Sequence, residues 1–274
     1  NRYILLILAL VCYLSGNAQL STSKLFFDHL TTEEGLAHNY ILSIFQDEDG
    51  FVWLGSDNGL NRYDGQHIDI LSSNTKPALG GNRIRRIIQD KSKTLWILHE
   101  NGLDMMDHYT QHIRSFLYGR ELKKHILGFG LDDNGDLAAF TESDILLYNS
   151  NSGSFDIKQT APANFLFSAF VKCGNRYYLG TRRHGIIVYN ENWKLLEHIY
   201  PTSIQGGILE DGLISLLRVD SNGSIWSVMA GLCIQKYDPV TRIVQTYPLS
   251  AHSVINREVR DIICLLYTSD AADE

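Results

Sequence analysis

The most constraining feature of this chain is a motif that returns about every 43 residues, because a unit of that length, repeated, folds as a stacked array and not as one independent core. Ile44-Phe45-Gln46-Asp47-Glu48-Asp49-Gly50-Phe51-Val52-Trp53 is followed by Ile87-Ile88-Gln89-Asp90-Lys91-Ser92-Lys93-Thr94-Leu95-Trp96. It returns later as Leu217-Arg218-Val219-Asp220-Ser221-Asn222-Gly223-Ser224-Ile225-Trp226. In all three the Asp lies six residues before the Trp. A further copy, Asp132-Asp133-Asn134-Gly135-Asp136-Leu137-Ala138, keeps the turn and puts Ala138 at the Trp position. The most decayed copy, Gly174-Asn175-Arg176-Tyr177-Tyr178, puts Tyr178 there. The steps from Trp53 to Trp96, Ala138, Tyr178 and Trp226 are 43, 42, 40 and 48 residues. A second landmark follows as Asn58-Gly59, Asn101-Gly102, His184-Gly185 and Ala230-Gly231, then Tyr63, Met106, Tyr148, Tyr189 and Tyr237.

Local chemistry reads each unit as strands. An Asp at the first position of a type I turn accepts main-chain N–H groups, and Gly suits the fourth position. Asp47 with Gly50, Asp132 with Gly135 and Asp220 with Gly223 fit that arrangement. Phe51 to Leu54 and Ser224 to Val228 are aromatic and β-branched runs between turn residues, which read as strands. Asn-Gly at 58 and 101 marks hairpins. After Ala18 there is no helical apolar periodicity. The prediction is an all-β chain, a partial β-propeller of about five four-stranded blades from a seven-bladed ring. Blades 1 to 5 are placed at 36–78, 79–121, 122–160, 161–206 and 207–252, after an N-terminal strand segment at 19–35 and before the start of a sixth blade at 253–263. Such blades bury their apolar faces only against one another. The repeated Trp is the expected wedge between them, removing roughly 150–250 Å² from water, about 4–6 kcal/mol at ~25 cal/mol per Å² as an upper bound. Ala138 in its place marks blade 3 as a weak point or an altered face unless a neighbour fills the space.

The two ends read differently. Residues 1–18 carry Arg2, an apolar run from Tyr3 to Leu14 and small residues before Ala18, the pattern of a secretory signal. Residues 264–274, CLLYTSDAADE, resemble a translated sequencing adapter, so that tail is expected to be foreign and the native chain to be cut near Ile263. The formal net charge of −7 with mixed signs argues against nucleic acid as a partner. Cys173 and Cys233, at non-equivalent places in different repeats, form no disulfide framework or metal signature and read as ordinary buried thiols.

Gly35-Leu36-Ala37-His38-Asn39, Ile44 to Asp47, Gly50 to Gly55 and Gly59-Leu60-Asn61-Arg62-Tyr63-Asp64-Gly65 together resemble the two-component regulator propeller repeat of hybrid two-component systems. The resemblance runs from about Phe26 to Ile263, is closest in the first two units, clear in the fifth and weak in the third and fourth. It implies a periplasmic, carbohydrate-sensing ectodomain of a receptor anchored in the inner membrane. It further implies partners within the same polypeptide, namely more blades and membrane-anchored signalling domains including a histidine kinase, with homodimers of the full-length receptor. This chain holds none of the kinase, so no enzyme activity is expected of it.

The residues that carry the repeat are Asp47, Gly50, Trp53, Gly59, Tyr63, Asp90, Trp96, Gly102, Asp132, Gly135, Tyr178, Gly185, Tyr189, Asp220, Gly223, Trp226, Gly231 and Tyr237. Folding explains all of them. No catalytic residue, cofactor or metal ligand is assigned, and the ligand-binding residues are left open between one loop face and a junction with further blades. A sialidase-type Asp-box fails in detail, because Glu48 and Ser221 stand where its Asp belongs. His108 and His112 are four apart but lie in a turn-and-strand segment, where they share no helical face. Arg83-Arg85-Arg86 and Arg182-Arg183 offer forked donors for acidic sugars, with solvated surface as the simpler reading. The alternatives to a sensor are a secreted glycan-active propeller enzyme and a secreted interaction scaffold.

Overall fold

The computed structural model describes residues 29–132, 134–199, 212–230 and 232–249, and these form twenty strands and no helix. Blade one is β1 (Ile41–Gln46), β2 (Val52–Ser56), β3 (Gly59–Tyr63) and β4 (Ile68–Leu71). Blade two is β5 (Ile84–Gln89), β6 (Leu95–His99), β7 (Gly102–Met106) and β8 (Ile113–Leu117). Blade three is β9 (Gly128–Leu131), β10 (Leu137–Phe140), β11 (Asp144–Asn149) and β12 (Ser154–Thr160). Blade four is β13 (Phe167–Cys173), β14 (Arg176–Thr181), β15 (Ile186–Asn190) and β16 (Leu195–Ile199). Blade five is β17 (Ile214–Val219), β18 (Ile225–Met229), β19 (Cys233–Tyr237) and β20 (Val244–Pro248). Every sheet is an antiparallel meander in sequence order, and β1 meets β5, β9 meets β13 and β13 meets β17. The fold is a β-propeller.

The six-residue Asp–Trp spacing has a direct cause. In blade one the Asp47 Oδ1 accepts the N–H groups of Asp49 and Phe51 at 3.1 and 2.9 Å, closing the turn. Its Oδ2 accepts the indole N–H of Trp53 at 2.7 Å. Asp90 does the same with Ser92, Thr94 and Trp96, and Asp220 with Asn222, Ser224 and Trp226. One carboxylate therefore holds a turn with one oxygen and a core side chain with the other. Asp132 keeps the turn half through Asn134 and Asp136, while Ala138 brings no indole. Blade four has no Asp because Cys173 pairs directly with Arg176, leaving a two-residue turn at Gly174-Asn175 in which Gly174 takes φ +57°, a region a side chain disfavours.

Cores lie between blades. Trp53, Leu60 and Phe45 of blade one pack on Ile84, Ile87, Leu95 and Ile97 of blade two. Trp96, fully buried, meets Phe129 and Leu137 of blade three, and Tyr148 lies edge-on to its ring at 4.8 Å. Tyr178 of blade four packs against Leu217 and Ile225 of blade five. At Ala138 the space is filled from the other side, where Phe170, Tyr177, Tyr189 and Trp193 of blade four converge and Trp193 stacks flat on Tyr177 at 4.1 Å. Blade three is thus an altered face whose missing indole is replaced by its neighbour's rings.

The two outer faces of the array differ from these junctions. Ile44 of β1 is 67% exposed, whereas its counterparts Ile87, Phe129, Phe170 and Leu217 are 5%, 0%, 4% and 1% exposed. Trp226, at the far face, is half-buried. Ahead of β1 the Glu34 carboxylate accepts the N–H and hydroxyl of Thr31, folding residues 32–35 into a turn, and Asn61 of β3 accepts the Ala37 N–H at 2.7 Å. Of the N-terminal strand segment, His29 to Gly35 contain no strand; the rest of it, the expected signal segment, the start of the sixth blade and the 264–274 tail lie outside the described residues.

Candidate ligand-binding site

Residues of four innermost strands, β5, β9, β13 and β17, meet on the axis of the array around a pocket of about 450 Å³, a size that suits a small ligand. Ile88, Phe129, Leu131, Phe170 and Val171 give it apolar walls, and Arg86, Lys172 and Arg218 bring three cations to it. Each cation comes from a different blade, so the pocket exists only when blades two to five are assembled. All three side chains are half-buried.

Local structure aims them. Pairing of β5 with β6 shifts register between Ile84 and Arg86, and such a bulge turns the following side chain and increases twist. The same shift occurs in the inner strands of blades one, four and five. Arg86 then lies over the Phe129 ring with its guanidinium carbon 5.7 Å from the centroid. Glycine at 130 leaves room on β9, since a Cβ there would come within 2.6 Å of the Phe170 ring. Lys172 Nζ donates to the Asp132 carbonyl at 3.5 Å, and Arg218 donates to the Leu217 carbonyl at 3.1 Å. Asp132 is a carboxylate on the pocket wall, and its Oδ1 is engaged in the turn. That arrangement, a few polar groups on apolar walls, suits binding of a small molecule. Among the described pocket residues it offers no pair of carboxylates for glycoside cleavage, which needs two flanking the bond.

A second concavity of about 400 Å³ is lined by Gly80, Glu100, Asn101, Leu117, Tyr118, Arg120 and His125. It lies between the turn joining β6 to β7 and the loops that enter and leave blade two. The rings of Tyr118 and His125 are 4.1 Å apart, and burial raises the Tyr118 hydroxyl above the usual phenol range. Glu100 accepts the N–H groups of Asn82 and Arg83.

The repeat residues occupy the frame. Gly59 and Gly102 open β3 and β7, Gly185 directly precedes β15, and Tyr63, Tyr189 and Tyr237 lie on third strands; only Asp132 and Gly135 reach the axial pocket, and Gly231 lies outside the described residues. Of the arginine clusters, Arg83 is paired with Asp57 at 2.8 Å, Arg182 with Glu142, Arg85 is exposed and Arg86 enters the pocket. His108 bonds Asp49 across the blade one–two junction at 2.8 Å, and Lys93 joins the same carboxylate, holding Asp49 below its ordinary range. Burial, with Asp220 nearby, pushes the Cys173 thiol up, away from reactivity. Among the described residues no group of three His, Cys, Asp or Glu is arranged to hold a metal. Sequence reasoning passed over Lys172 and Arg218 as site residues. Counting back six from Tyr178 and eight from Trp226 places both on inner strands, the signal that could have found them.

Residues 35–58 match the family model of the two component regulator propeller. No curated protein matches the chain. Among solved structures, the extracellular domain of BT3049 from B. thetaiotaomicron, described as a hybrid two component system, is similar over 81% of this chain and 32% of its own, at 20% identity and a TM-score of 0.64. Virginiamycin B lyase from Staphylococcus aureus is similar over 78% of this chain and 71% of its own, at 12% identity and a TM-score of 0.61. PorZ, a surface component of the type-IX secretion system of Porphyromonas gingivalis, is similar over 81% of this chain and 35% of its own, at 15% identity and a TM-score of 0.58. The chain thus spans about a third of the length of the first of these, and three proteins of different function share its fold. The chain is a β-propeller whose residues 35–58 match the two-component regulator propeller repeat.

Proposed function

We propose that this chain is part of the ligand-sensing propeller of an extracytoplasmic two-component receptor, and that carbohydrate is what it senses. The observation that carries this reading is the regulator-propeller match at residues 35–58, in the blade whose Asp47 clamp on Trp53 recurs in blades two and five. The secretory pattern of residues 1–18 supports export to the periplasm, with the whole receptor anchored in the inner membrane; no described helix is long and apolar enough to cross a membrane. The exposed Ile44 face and the half-buried Trp226 face suit further blades of the same polypeptide on either side. Signalling domains beyond them and a receptor homodimer complete the reading, in which this segment binds and does not catalyse. The Tyr118 and His125 rings beside Glu100, Asn101 and Arg120 suit a sugar, which stacks on aromatic faces and takes hydrogen bonds at its edge.

The test is a reporter strain that carries the complete reading frame to which this segment belongs, exposed to a panel of neutral and acidic oligosaccharides. Induction by one glycan class, lost when the propeller is deleted, is the expected result. A frame that ends after the propeller and yields a protein that cleaves a panel member would overturn it in favour of a secreted enzyme; the same frame end without turnover would favour an interaction scaffold.

A further inference from the structure

We infer that the concavity beside the β6–β7 turn is the sugar site, and that it takes one neutral, terminal sugar ring against Tyr118 and His125, with Glu100, Asn101 and Arg120 at its hydroxyl edge. The inference rests on the carbohydrate-sensing reading and adds the place, the residues and the charge class of the ligand.

Blade two departs from its sister blades here in three ways. First, the residue just past an outer strand gives its N–H to the turn between the second and third strands: Tyr118 to the Asn101 carbonyl, Ala161 to Ser143 and Leu249 to Leu232. Of these three places only that of blade two carries an aromatic ring, and the His125 ring lies 4.1 Å from it. Second, arginines close the turn carboxylates of blades one and three, Arg83 on Asp57 at 2.8 Å and Arg182 on Glu142. Glu100 holds the same place in blade two and has no ion pair among the described residues; it accepts the N–H groups of Asn82 and Arg83 at 3.0 and 2.8 Å. Third, the loop that joins β8 to β9 puts Arg120 and His125, both exposed, on the wall of the concavity. Blades one and three close without these changes, and a repeat that breaks its own pattern at one loop cluster marks a place kept for function.

The wall is held in shape from beneath. His99 and Asp104, both fully buried, stand where blade one has Ser56 and Asn61. Asp104 Oδ2 accepts the Gly80 N–H at 2.8 Å, His99 Nδ1 accepts the Asn101 N–H at 3.2 Å, and Asn101 Nδ2 donates to the Gly80 carbonyl at 3.0 Å. The Tyr118 hydroxyl accepts the Ile126 N–H at 3.1 Å and donates to the Ile126 carbonyl at 3.3 Å, so this residue offers a fixed ring face and not a hydroxyl. A wall ordered in advance costs little further ordering when a ligand arrives.

The groups left over define the ligand. Burial alone would raise Glu100, but the N–H groups of Asn82 and Arg83 help hold it below its ordinary range, so it stays a charged acceptor. Asn101 has spent its Nδ2 on Gly80 and keeps Oδ1 as a second acceptor, while Arg120 has the Glu121 charge near it and brings donors only. Acceptors and donors side by side match sugar hydroxyls, which do both, whereas a sugar carboxylate or sulfate would meet the Glu100 carboxylate. The C–H face of the same sugar suits the Tyr118 and His125 rings. The volume of about 400 Å³ lies at the small end of ligand pockets, which suits one ring at the end of a glycan.

The experiment is calorimetric titration of the full chain with methyl glycosides of neutral hexoses and of the matching uronic acids, together with saturation-transfer NMR from the aromatic protons. Arg120→Ala, His125→Ala and the double variant change exposed side chains outside the inter-blade cores, and the melting temperature of each is recorded. The expected result is binding of at least one neutral glycoside, weakened about tenfold by either change, with saturation reaching one face of the sugar and no comparable binding of the uronic acid. Tyr118→Phe, which keeps the ring, should bind as the parent does. Unchanged binding by a double variant that melts like the parent overturns the site, and a preference for the uronic acid overturns the neutral class. A receptor induced by a glycan equally well with and without the double change loses this site and keeps the sensing reading. Sugar binding that depends on Arg120 and His125, in a receptor that no glycan induces, does the reverse. If the double variant fails to fold, absence of saturation transfer to any neutral glycoside in the parent chain overturns the inference by itself.

Discussion

Blades two and four solve the same packing problem with different parts. Blade two sends its own Trp96 into the next junction, tied back to Asp90 at 2.8 Å and surrounded by Phe116, Tyr148 and Phe155. Blade four lies against a junction where its neighbour has Ala138 in place of the Trp, and it supplies Tyr177, Tyr189 and Trp193 from its own side. The wedge is therefore a requirement for volume at the junction and not for an indole in each blade, and it can be met from either side.

The hardest way to break that comparison is to remove volume where nothing can replace it. Trp96→Ala should cost about 3–5 kcal/mol, read as a loss of urea midpoint followed by circular dichroism. Ala138→Trp should also destabilise, by about 1–3 kcal/mol, because the space is already filled; a stabilised Ala138→Trp would show that blade three is a true void. Next comes the carboxylate. Asp90→Ala should cost about 2–4 kcal/mol, since it loses the turn bonds and strands a buried indole N–H, whereas Asp132→Ala should cost only about 1 kcal/mol because no indole depends on it. Hydrogen exchange at Thr94 and Asp136, whose N–H groups these residues hold, measures the two side by side.

Acid sharpens the contrast further. Burial alone would raise Asp220, but the Trp226 indole, the Ser224 N–H, the Lys236 ammonium and the Asn222 N–H outweigh it and bring the carboxyl down to about 2 from 3.8. A depressed carboxyl contributes stability above its unfolded value and loses it as pH falls. Blade five should therefore shed about 1–2 kcal/mol between pH 4 and pH 2, and Asp220→Asn should flatten that limb of the stability profile. The smallest effect concerns the outer turns. Gln111 holds φ +54°, four residues after its Asp107 cap, where blade three has Gly153 at +64° and blade five Arg242 at +61°. Gln111→Gly should stabilise by about 0.5–1 kcal/mol if relief of the left-handed strain exceeds the entropy glycine adds to the unfolded chain, seen as a rise in melting temperature of a degree or two.

Much of the fold was legible because the signals were local. Asp47, Gly50 and Trp53 specify a turn, a strand and a wedge within seven residues, and repetition multiplied that signal. Less was legible where the signal depends on a neighbour. Nothing in the segment around Ala138 says that Trp193, more than fifty residues later, will stack on Tyr177 to fill the gap. The outer-turn caps at Asp64, Asp107, Asn149, Asn190 and Asp238, each accepting main-chain N–H groups through its side chain, were passed over because Asp and Asn alternate there without a Gly at a fixed offset. The axial pocket was hidden for a related reason. Arg86, Lys172 and Arg218 occupy different offsets from their anchors, and they come to one place only when their inner strands assemble around the axis.

The shared carboxylate has a consequence for how the chain acquires its shape. A contact between residues six apart closes a very short loop, at small entropic cost, and it joins the solvent-facing turn to the side chain that will later be buried. In blades one, two and five the first hairpin can thus assemble with its wedge already oriented before any neighbouring blade arrives, giving early, local structure of the kind that speeds folding. Blade four has no such clamp and blade three only half of one. Their order must come from their neighbours, so the middle of the array is expected to condense last and to open first.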